Sequence, residues 1–435
     1  MRKMKDSGIK WLGTVPSTWN MTPIRHQVIS RDGGAWGEEV QEGENGTICL
    51  RIADFDYDKG IFKDTDAEEL TFRKYNNRQI FRLALKRDDI LVEKSGGGEK
   101  TPVGRTVRFD KDYPAMFANF MDRLRFNTSV VTAEFVEYWL RALYSSRVTP
   151  FYIKQTTGLQ NLDLSLFLAK EKILFPTRDE QIEITGYLDR KCAEIDSLAA
   201  DIQVQIDTLE QYKRSVITET VTKGLNPYAE MKESGVKWIG KMPSHWEIIR
   251  GKYILQYLQK MVTEDDCVIT CFRDGEVTLR NNRRENGFTM SEKEIGYQGI
   301  DVGDLIVHGM DGFAGAIGIS DSRGKASPVL NVLDSKQNKR YLMYYLRSMA
   351  YGDVFLAMAT GIRVRSCDLR WNKLAKLFYP LPPIEEQEAI VKYIDDMLKK
   401  TDEIISDKKK HLETLDEYKK SLIYEYITGK KEVAV

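Results

Sequence analysis

Histidine, cysteine and long apolar runs are scarce in this chain, and each scarcity removes a class of function. Four histidines occur among 435 residues: His26, His245, His308 and His411. None has metal-ligand spacing or a nucleophile motif beside it, which argues against zinc and hydrolase chemistry. Only His308, next to Gly309 after an apolar strand, is placed where it could meet a ligand. The five cysteines, Cys49, Cys192, Cys267, Cys271 and Cys367, are odd in number and show no recurring paired spacing, so they read as reduced thiols in or near cores. No apolar run reaches the roughly 18 residues of a membrane span. The basic start, Met1 to Lys5, lacks the apolar stretch of a signal peptide, so a cytoplasmic protein is expected. A Gly-x-x-x-x-Gly-Lys-Ser/Thr phosphate loop is missing, which excludes the usual ATP motor. Asn226-Pro227-Tyr228 lacks the second proline and the glycine-rich loop of amino-methyltransferases and reads as a helix stop. The expectation is a chain with no catalytic residues, no metal and no cofactor of its own.

Charge is balanced in total and uneven along the chain. Sixty-five basic residues face sixty-five acidic ones. Segments 1–175 and 231–379 carry net charges of +3 and +5, whereas 176–230 and 380–435 carry −5 and −3. Phosphate contact depends on local positive charge, so the two basic segments are the candidates for nucleic acid.

Repetition organises the sequence. Met4 to Trp19 reads MKDSGIKWLGTVPSTW, and Met231 to Trp246 reads MKESGVKWIGKMPSHW, a gapless match at an offset of 227. A second match runs at an offset of 206. Pro176, Glu180, Gln181, Tyr187, Asp189 and Asp196 recur as Pro382, Glu386, Gln387, Tyr393, Asp395 and Asp402. Leu209, Tyr212, Lys213, Ser215, Ile217 and Thr222 recur as Leu415, Tyr418, Lys419, Ser421, Ile423 and Thr428. Residues 29–155 and 256–358 differ in sequence and length. A repeated frame therefore holds two unlike inserts.

The second match has the pattern of long helices. Residues 180–222 contain no proline, and Ile184, Leu188, Ile195, Leu198, Ile202, Leu209, Tyr212 and Val216 form a heptad-like seam broken by Lys191 and Gln205. Thr177-x-x-Glu180 reads as a capping box, and Gly224 with Pro227 as the stop. Residues 385–428 repeat the seam through Ile390, Ile394, Met397, Ile404, Leu415, Tyr418 and Leu422, interrupted by Thr401, Lys408 and His411. Two helices of this length, each about 60 Å, most simply bury their stripes on each other as an antiparallel coiled coil. By symmetry Met4 to Trp19 should dock at the end of the second helix, which brings the first and last segments together.

The inserts mix strand and helix signals without βαβ alternation. Thr47 to Ile52, Asp89 to Val92, Val103 to Phe109, Asp304 to Val307 and Ala316 to Ile319 read as strands. Phe135 to Leu143 and Lys339 to Met349 read as amphipathic helices. An α+β domain around an irregular sheet is expected in each half. Arg73, Lys74, Asn76, Asn77 and Arg78 form a polar loop around Tyr75, and Arg280, Asn281, Arg283 and Arg284 form its loose counterpart. Arginine pairs with guanine edges and asparagine with adenine, and either can hold phosphate. Lys94 and Ser95, before three glycines, together with Gln160 and Asn161 after Thr157-Gly158, are further contact candidates, as are His308, Arg363 and Arg365 in the second half.

In order and in duplicate, these pieces resemble the specificity subunit of Type I restriction-modification enzymes. The matching motifs are Gly13-x-x-Pro16-x-x-Trp19 and Gly240-x-x-Pro243-x-x-Trp246, the Gly303-Asp304 strand, the Thr-Gly loops before each long helix, and Pro-x-x-x-Glu-Gln opening each helix. Asp88-Asp89 stands where the pattern has Gly-Asp. The resemblance implies two target-recognition domains, 1–175 and 228–379, separated by spacer helices in 176–227 and 380–435 that act as a ruler. It implies binding to double-stranded DNA at a bipartite site, to two DNA methyltransferase subunits and to ATP-dependent restriction subunits. S-adenosylmethionine, ATP and Mg²⁺ would belong to those partners. Competing expectations are a stand-alone two-module DNA-binding regulator, a protein-only scaffold, and an enzyme with an unrecognised motif.

Overall fold

The computed structural model describes residues 2–57, 59–63, 69–156, 158–283, 295–358 and 369–433. The fold mixes helix and sheet and divides into two compact units, Met1–Ile202 with Lys410–Val435, and Gln203–Lys409. Both divisions fall inside long helices, Arg178–Lys223 and Ile384–Ile427. Each unit therefore owns one head and about half of each long helix.

The head of unit 1 is built on a four-stranded antiparallel sheet in the order Thr106–Arg108, Ile90–Glu93, Met121–Phe126, Val28–Gly33. The head of unit 2 has a sheet of the same plan, in the order Ile317–Ile319, Leu305–His308, Leu330–Asp334, Gln256–Leu258. Ile90, Leu91, Val92 and Leu305, Ile306, Val307 are all buried, which accounts for unbroken apolar runs in place of alternation. A buried aspartate precedes each central strand. Asp89 closes a turn by accepting from Lys86 N and holds Arg125 through both carboxylate oxygens at 2.7 Å. Asp304 closes the matching turn onto Asp301 N and holds Lys260 at 2.6 Å. The departure at Asp88 is conservative in backbone terms: Asp88 has φ +74° and Gly303 has φ +86°. Aspartate is among the few side chains that tolerate the left-handed region.

A helix packs on each sheet, Ala133–Ser145 in unit 1 and Lys339–Tyr351 in unit 2. These helices are related by the same 206-residue shift as the long helices, so the repeat starts earlier than the frame motifs indicate. Their hydrogen bonds repeat as well. Gln181 Oε1 accepts from Thr132 N at 2.8 Å, and Gln387 Oε1 accepts from Asn338 N at 3.0 Å, each capping a head helix. Tyr138 donates to Asp189, and Tyr344 to Asp395. Trp139 donates to the Lys172 carbonyl, and Tyr345 to the Phe378 carbonyl. The indoles of Trp19 and Trp246 donate to Glu180 and Glu386. Glu180 also meets Arg2 at 2.6 Å, so the Thr177-x-x-Glu180 pattern serves tertiary docking where the sequence suggested a capping box.

The long helices run antiparallel. In unit 1 Lys419 meets Asp196 at 2.6 Å, and Tyr426 packs against Tyr187 with rings tilted by 35° and centroids 4.5 Å apart. In unit 2 Lys213 meets Asp402 at 2.6 Å, and Lys408 donates to Gln205. The seam departs from an even heptad stripe. Ile184, Leu188, Cys192 and Ile195 are buried with Leu422, Ile423 and Ile427 in the core of unit 1, shared with Trp139 and its neighbours. Ile217 and Val221 join Ile390, Val391 and Ile394 in the core of unit 2. Leu198, Tyr212, Ile404 and Tyr418, expected on the seam, are 49%, 46%, 48% and 54% exposed. The reason is that the head helices also claim the apolar face, so burial concentrates where three elements meet.

The first segment docks at the end of the second long helix. Lys430 donates to the Leu12 and Thr14 carbonyls, Tyr424 to the Trp11 carbonyl, and Arg2 to Glu432 at 2.8 Å. Gly429, at φ +72°, leaves the helix against Pro16 and Trp19, where an added Cβ would come within 2.4 Å of the proline ring. Replacing Gln181 or Gln387 by alanine removes the cap and strands buried amide and carbonyl groups. Each is expected to destabilise its own unit by about 1–3 kcal/mol, read as a lowered urea midpoint for the full chain with similar size at both positions.

Candidate nucleic-acid interface

The heads carry the candidate contact residues, and unit 1 brings four of them together on neighbouring strands. The segment after the head helix forms a hairpin, Ile153–Thr156 with Leu159–Leu162, turning at Gly158 with φ +87°. Ser95–Gly96 adds a third strand, pairing Ser95 with Asn161 and Gly96 with Gln160. The Ser95 hydroxyl donates to Asn161 Oδ1 at 2.7 Å, and Gln160 Oε1 accepts from Val103 N at 3.3 Å. Both amide oxygens are thereby held, which turns the amide NH₂ groups into oriented donors. Gly98 N bonds the Thr101 carbonyl at 3.0 Å, so the glycine run is a turn beyond the strand.

Lys94 leads into the same strand. Its ammonium meets Asp122 Oδ1 at 2.6 Å, while Asp122 Oδ2 accepts from Arg31 at 2.7 Å and Arg31 reaches Ser165. Asp122 itself is buried, so it anchors two cations at the sheet surface. Lys154 and Gln155 lie across the hairpin from Asn161 and Gln160. Phe151 at the hairpin base is 84% exposed, and Phe120, whose carbonyl accepts from Lys94 N, is half exposed. Cations, oriented amides and open aromatic faces are the elements of backbone contact, edge readout and stacking. Arg31, Lys154, Gln155, Phe120 and Phe151 were not singled out from sequence. The one local signal was Gly158 between two short polar arms, since neither Ile153–Thr156 nor Leu159–Leu162 alternates polar with apolar residues.

The stretch 73–78 folds differently from the loop expected. Asn76 caps the helix Asn77–Leu83 through a reciprocal box with Gln79, a pattern present in the sequence. Arg73 lies 4.5 Å from the Trp36 ring centroid, and Lys74 meets Glu44 at 2.6 Å. Asn77 and Arg78 are exposed in the first helical turn. In unit 2, Arg283 meets Asp274 and Glu276 and lies over Phe272, while Asn282 donates to Thr278. Arg280 is half-buried and Asn281 exposed at the end of strand Val277–Leu279. Arg284, Arg363 and Arg365, like Thr157 and Cys367, lie outside the described residues.

His308 ends the central strand of the second head. Its Nδ1 accepts from Met310 N at 3.2 Å and Asp311 N at 2.9 Å, which fixes the ring in a backbone turn. Burial lowers its pKa from the usual histidine value, opposed by Asp311 and aided by Arg273. The neutral form is therefore native, and its stabilisation is complete above the unfolded pKa of about 6.5. That contribution fades as pH falls from there through the folded value. NMR titration should find the His308 ring titrating below the free imidazole, with His308→Gln reducing the loss of stability between about pH 6.5 and pH 5.

Among the described residues, no cluster of three or more His, Cys, Asp or Glu side chains could hold a metal, and no helix is long and apolar enough to cross a membrane. The four described cysteines are unpaired.

No family model matches the chain. It is 24% identical over 442 residues to a putative Type I restriction enzyme MjaX specificity subunit of Methanocaldococcus jannaschii, covering 97% of this chain and 96% of that protein. It is also 24% identical over 313 residues to the Type I restriction enzyme MjaVIII specificity subunit of the same organism, covering 68% and 70%. Its fold matches a chain from a solved structure described as addressing complex assembly and conformational transition of the type I R-M system, with a TM-score of 0.66 at 12% identity and coverage of 96% and 99%.

Proposed function

We propose that this chain, a relative of the Type I restriction specificity subunits over nearly its whole length, is the non-catalytic DNA-reading subunit of a Type I restriction-modification complex in the cytoplasm. The observation that carries the reading is a frame duplicated down to single hydrogen bonds, Gln181 with Gln387 and Tyr138–Asp189 with Tyr344–Asp395, bearing heads whose exposed loops differ. A duplex repeats its groove geometry along its axis, so equivalent supports with unlike readers suit a bipartite, asymmetric site. In the first head, Asn161 and Gln160 present amide donors to base acceptors, while Lys94 and Arg31, which share the one Asp122 carboxylate, supply net positive charge for phosphates beside Lys154, paired with Asp163 at 2.8 Å. Arg73, Lys74, Asn76, Asn77 and Arg78 form a second contact region of the same head. In the second head, Arg280, Asn281, Arg283, Arg284, His308, Arg363 and Arg365 serve the other half-site.

The long helices serve the partners. They are acidic over the frame segments, which disfavours phosphate. Each unit also exposes an equivalent apolar pair, Leu198 with Tyr418 in unit 1 and Ile404 with Tyr212 in unit 2. Two matching patches suit two copies of one partner, a DNA methyltransferase subunit, and that assembly recruits the ATP-dependent restriction subunits. S-adenosylmethionine, ATP and Mg²⁺ act in those partners.

Methylome sequencing of a host expressing this chain with its methyltransferase partner tests the assignment. Gln160→Ala with Asn161→Ala should relax or abolish one half-site, at about 1–3 kcal/mol per lost base contact, and leave the other half-site unchanged. A four-residue insertion in one long helix should change the unread gap while both half-sites persist. A methylation pattern identical to the parent's after both changes would rule out a reader-and-ruler role.

A further inference from the structure

Each unit has a cleft where its head meets the long helices, and four equivalent frame positions line both. Asp416, Lys419, Lys420 and Ile423 contribute in unit 1; Glu210, Lys213, Arg214 and Ile217 contribute in unit 2, each 206 positions earlier. The heads make the clefts unlike. The unit 1 cleft, about 300 Å³, receives four cations from its head, Lys100, Arg105, Arg141 and Arg147, and no acid. The unit 2 cleft receives Arg273 and Arg347 together with Asp274 and Asp353, and Asp402 from the frame.

Ion pairing sharpens the contrast. In unit 2, Lys213 is held by Asp402 and Glu210, and Arg273 by Asp311. In unit 1, Glu93 takes Arg105, Asp196 takes Lys419, and Asp416 takes Lys420. The side chains of Lys100 and Arg147 have no hydrogen-bond or ion-pair partner among the described residues, and both are exposed at the cleft. An uncompensated positive charge remains.

Polar bonding capacity is also unspent there. Thr106 Oγ1 and Tyr57 Oη are buried atoms without a hydrogen-bond partner among the described residues, and both residues line the unit 1 cleft. Thr106 is only 6% exposed. An unsatisfied buried hydroxyl costs stability unless a ligand completes it. No residue lining the unit 2 cleft has such an atom among the described residues. Surplus cations above unpartnered hydroxyls, in a concave space, define a receptor for an oxyanion with several acceptor oxygens.

We propose that the unit 1 cleft binds a phosphate group, held by Lys100 and Arg147 at its mouth and by the Thr106 and Tyr57 hydroxyls within, and that the equivalent cleft of unit 2 does not. The site uses none of the residues assigned to base reading, so it stands or falls independently of the proposed function.

Calorimetric titration of the full chain with pyrophosphate tests it. One site per chain is expected. The double variant Lys100→Glu, Arg147→Glu should weaken binding by at least about tenfold, whereas Arg273→Glu in unit 2 should leave it unchanged. Thr106→Val should weaken binding and yet raise the thermal midpoint of the ligand-free chain, because it removes an unpaired buried hydroxyl at constant shape. Duplex DNA distinguishes the source: displacement of pyrophosphate assigns the site to backbone phosphates, and simultaneous binding assigns it to a free phosphate-bearing molecule. No heat of binding, equal binding by the double variant, or a lowered midpoint for Thr106→Val would overturn the proposal.

Discussion

The glutamate–glutamine pair that opens each long helix holds this architecture together. Glu180 and Glu386 each receive a tryptophan indole from the repeated docking segment, and Gln181 and Gln387 cap a head helix from inside the core. Gln181 and Gln387 are fully buried, so the interaction takes place where water cannot substitute for a missing partner. Two adjacent residues thus fix three elements at one junction: the docking segment, the head helix and the start of the long helix. A short polar motif can specify geometry there because an apolar junction of the same size would tolerate sliding, and a glutamine with both ends bonded does not.

Burial follows from that junction. With the head helices anchored at the long-helix starts, apolar side chains at those ends become the cores of the two units. Between those ends the paired helices bury Ile206 and Ile405 and carry the ion pairs Asp196–Lys419 and Lys213–Asp402. Burial disfavours the charge on Lys213, yet the bonds to Asp402 and Glu210 outweigh it and raise its pKa. Charged pairs of this kind define helix register at modest gain in stability. The price is apolar surface left open at Leu198, Tyr212, Ile404 and Tyr418, which the proposed partners would cover.

Much of this was legible in the sequence because repetition converts weak motifs into a strong pattern. The long helices, the docking of Met4 to Trp19 and the strands around Ile90 and Leu305 follow from offsets and apolar runs. The start of the 206-residue repeat was missed, although Tyr138-Trp139-Leu140-Arg141 against Tyr344-Tyr345-Leu346-Arg347 carried the signal. Heptad counting placed Leu198 and Tyr212 in a seam because it cannot know that a third helix competes for the same face. The capping box at Asn76 was hidden inside a cluster that looked like a basic loop. Contacts such as Lys94–Asp122–Arg31 join residues about 30 and 90 positions apart, and no local pattern announces them. The oriented amides of Gln160 and Asn161 depend on a strand, Ser95–Gly96, that opens a run of three glycines and carries no strand signal of its own.

The docking of Met4 to Trp19 onto Tyr424 and Lys430 frees the order of the two heads from the fold that holds them. Because Arg2 lies against Glu432, a short peptide could join these two residues without disturbing the core of unit 1. The exposed turn around Tyr228, between the first long helix and the second copy of the docking segment, could then be opened instead. Such a permuted polypeptide would keep the docking bonds of Trp19, Gln181, Trp246 and Gln387 while exchanging which head is synthesised first. Chain direction therefore carries no information about which head is which; that identity resides only in the loops.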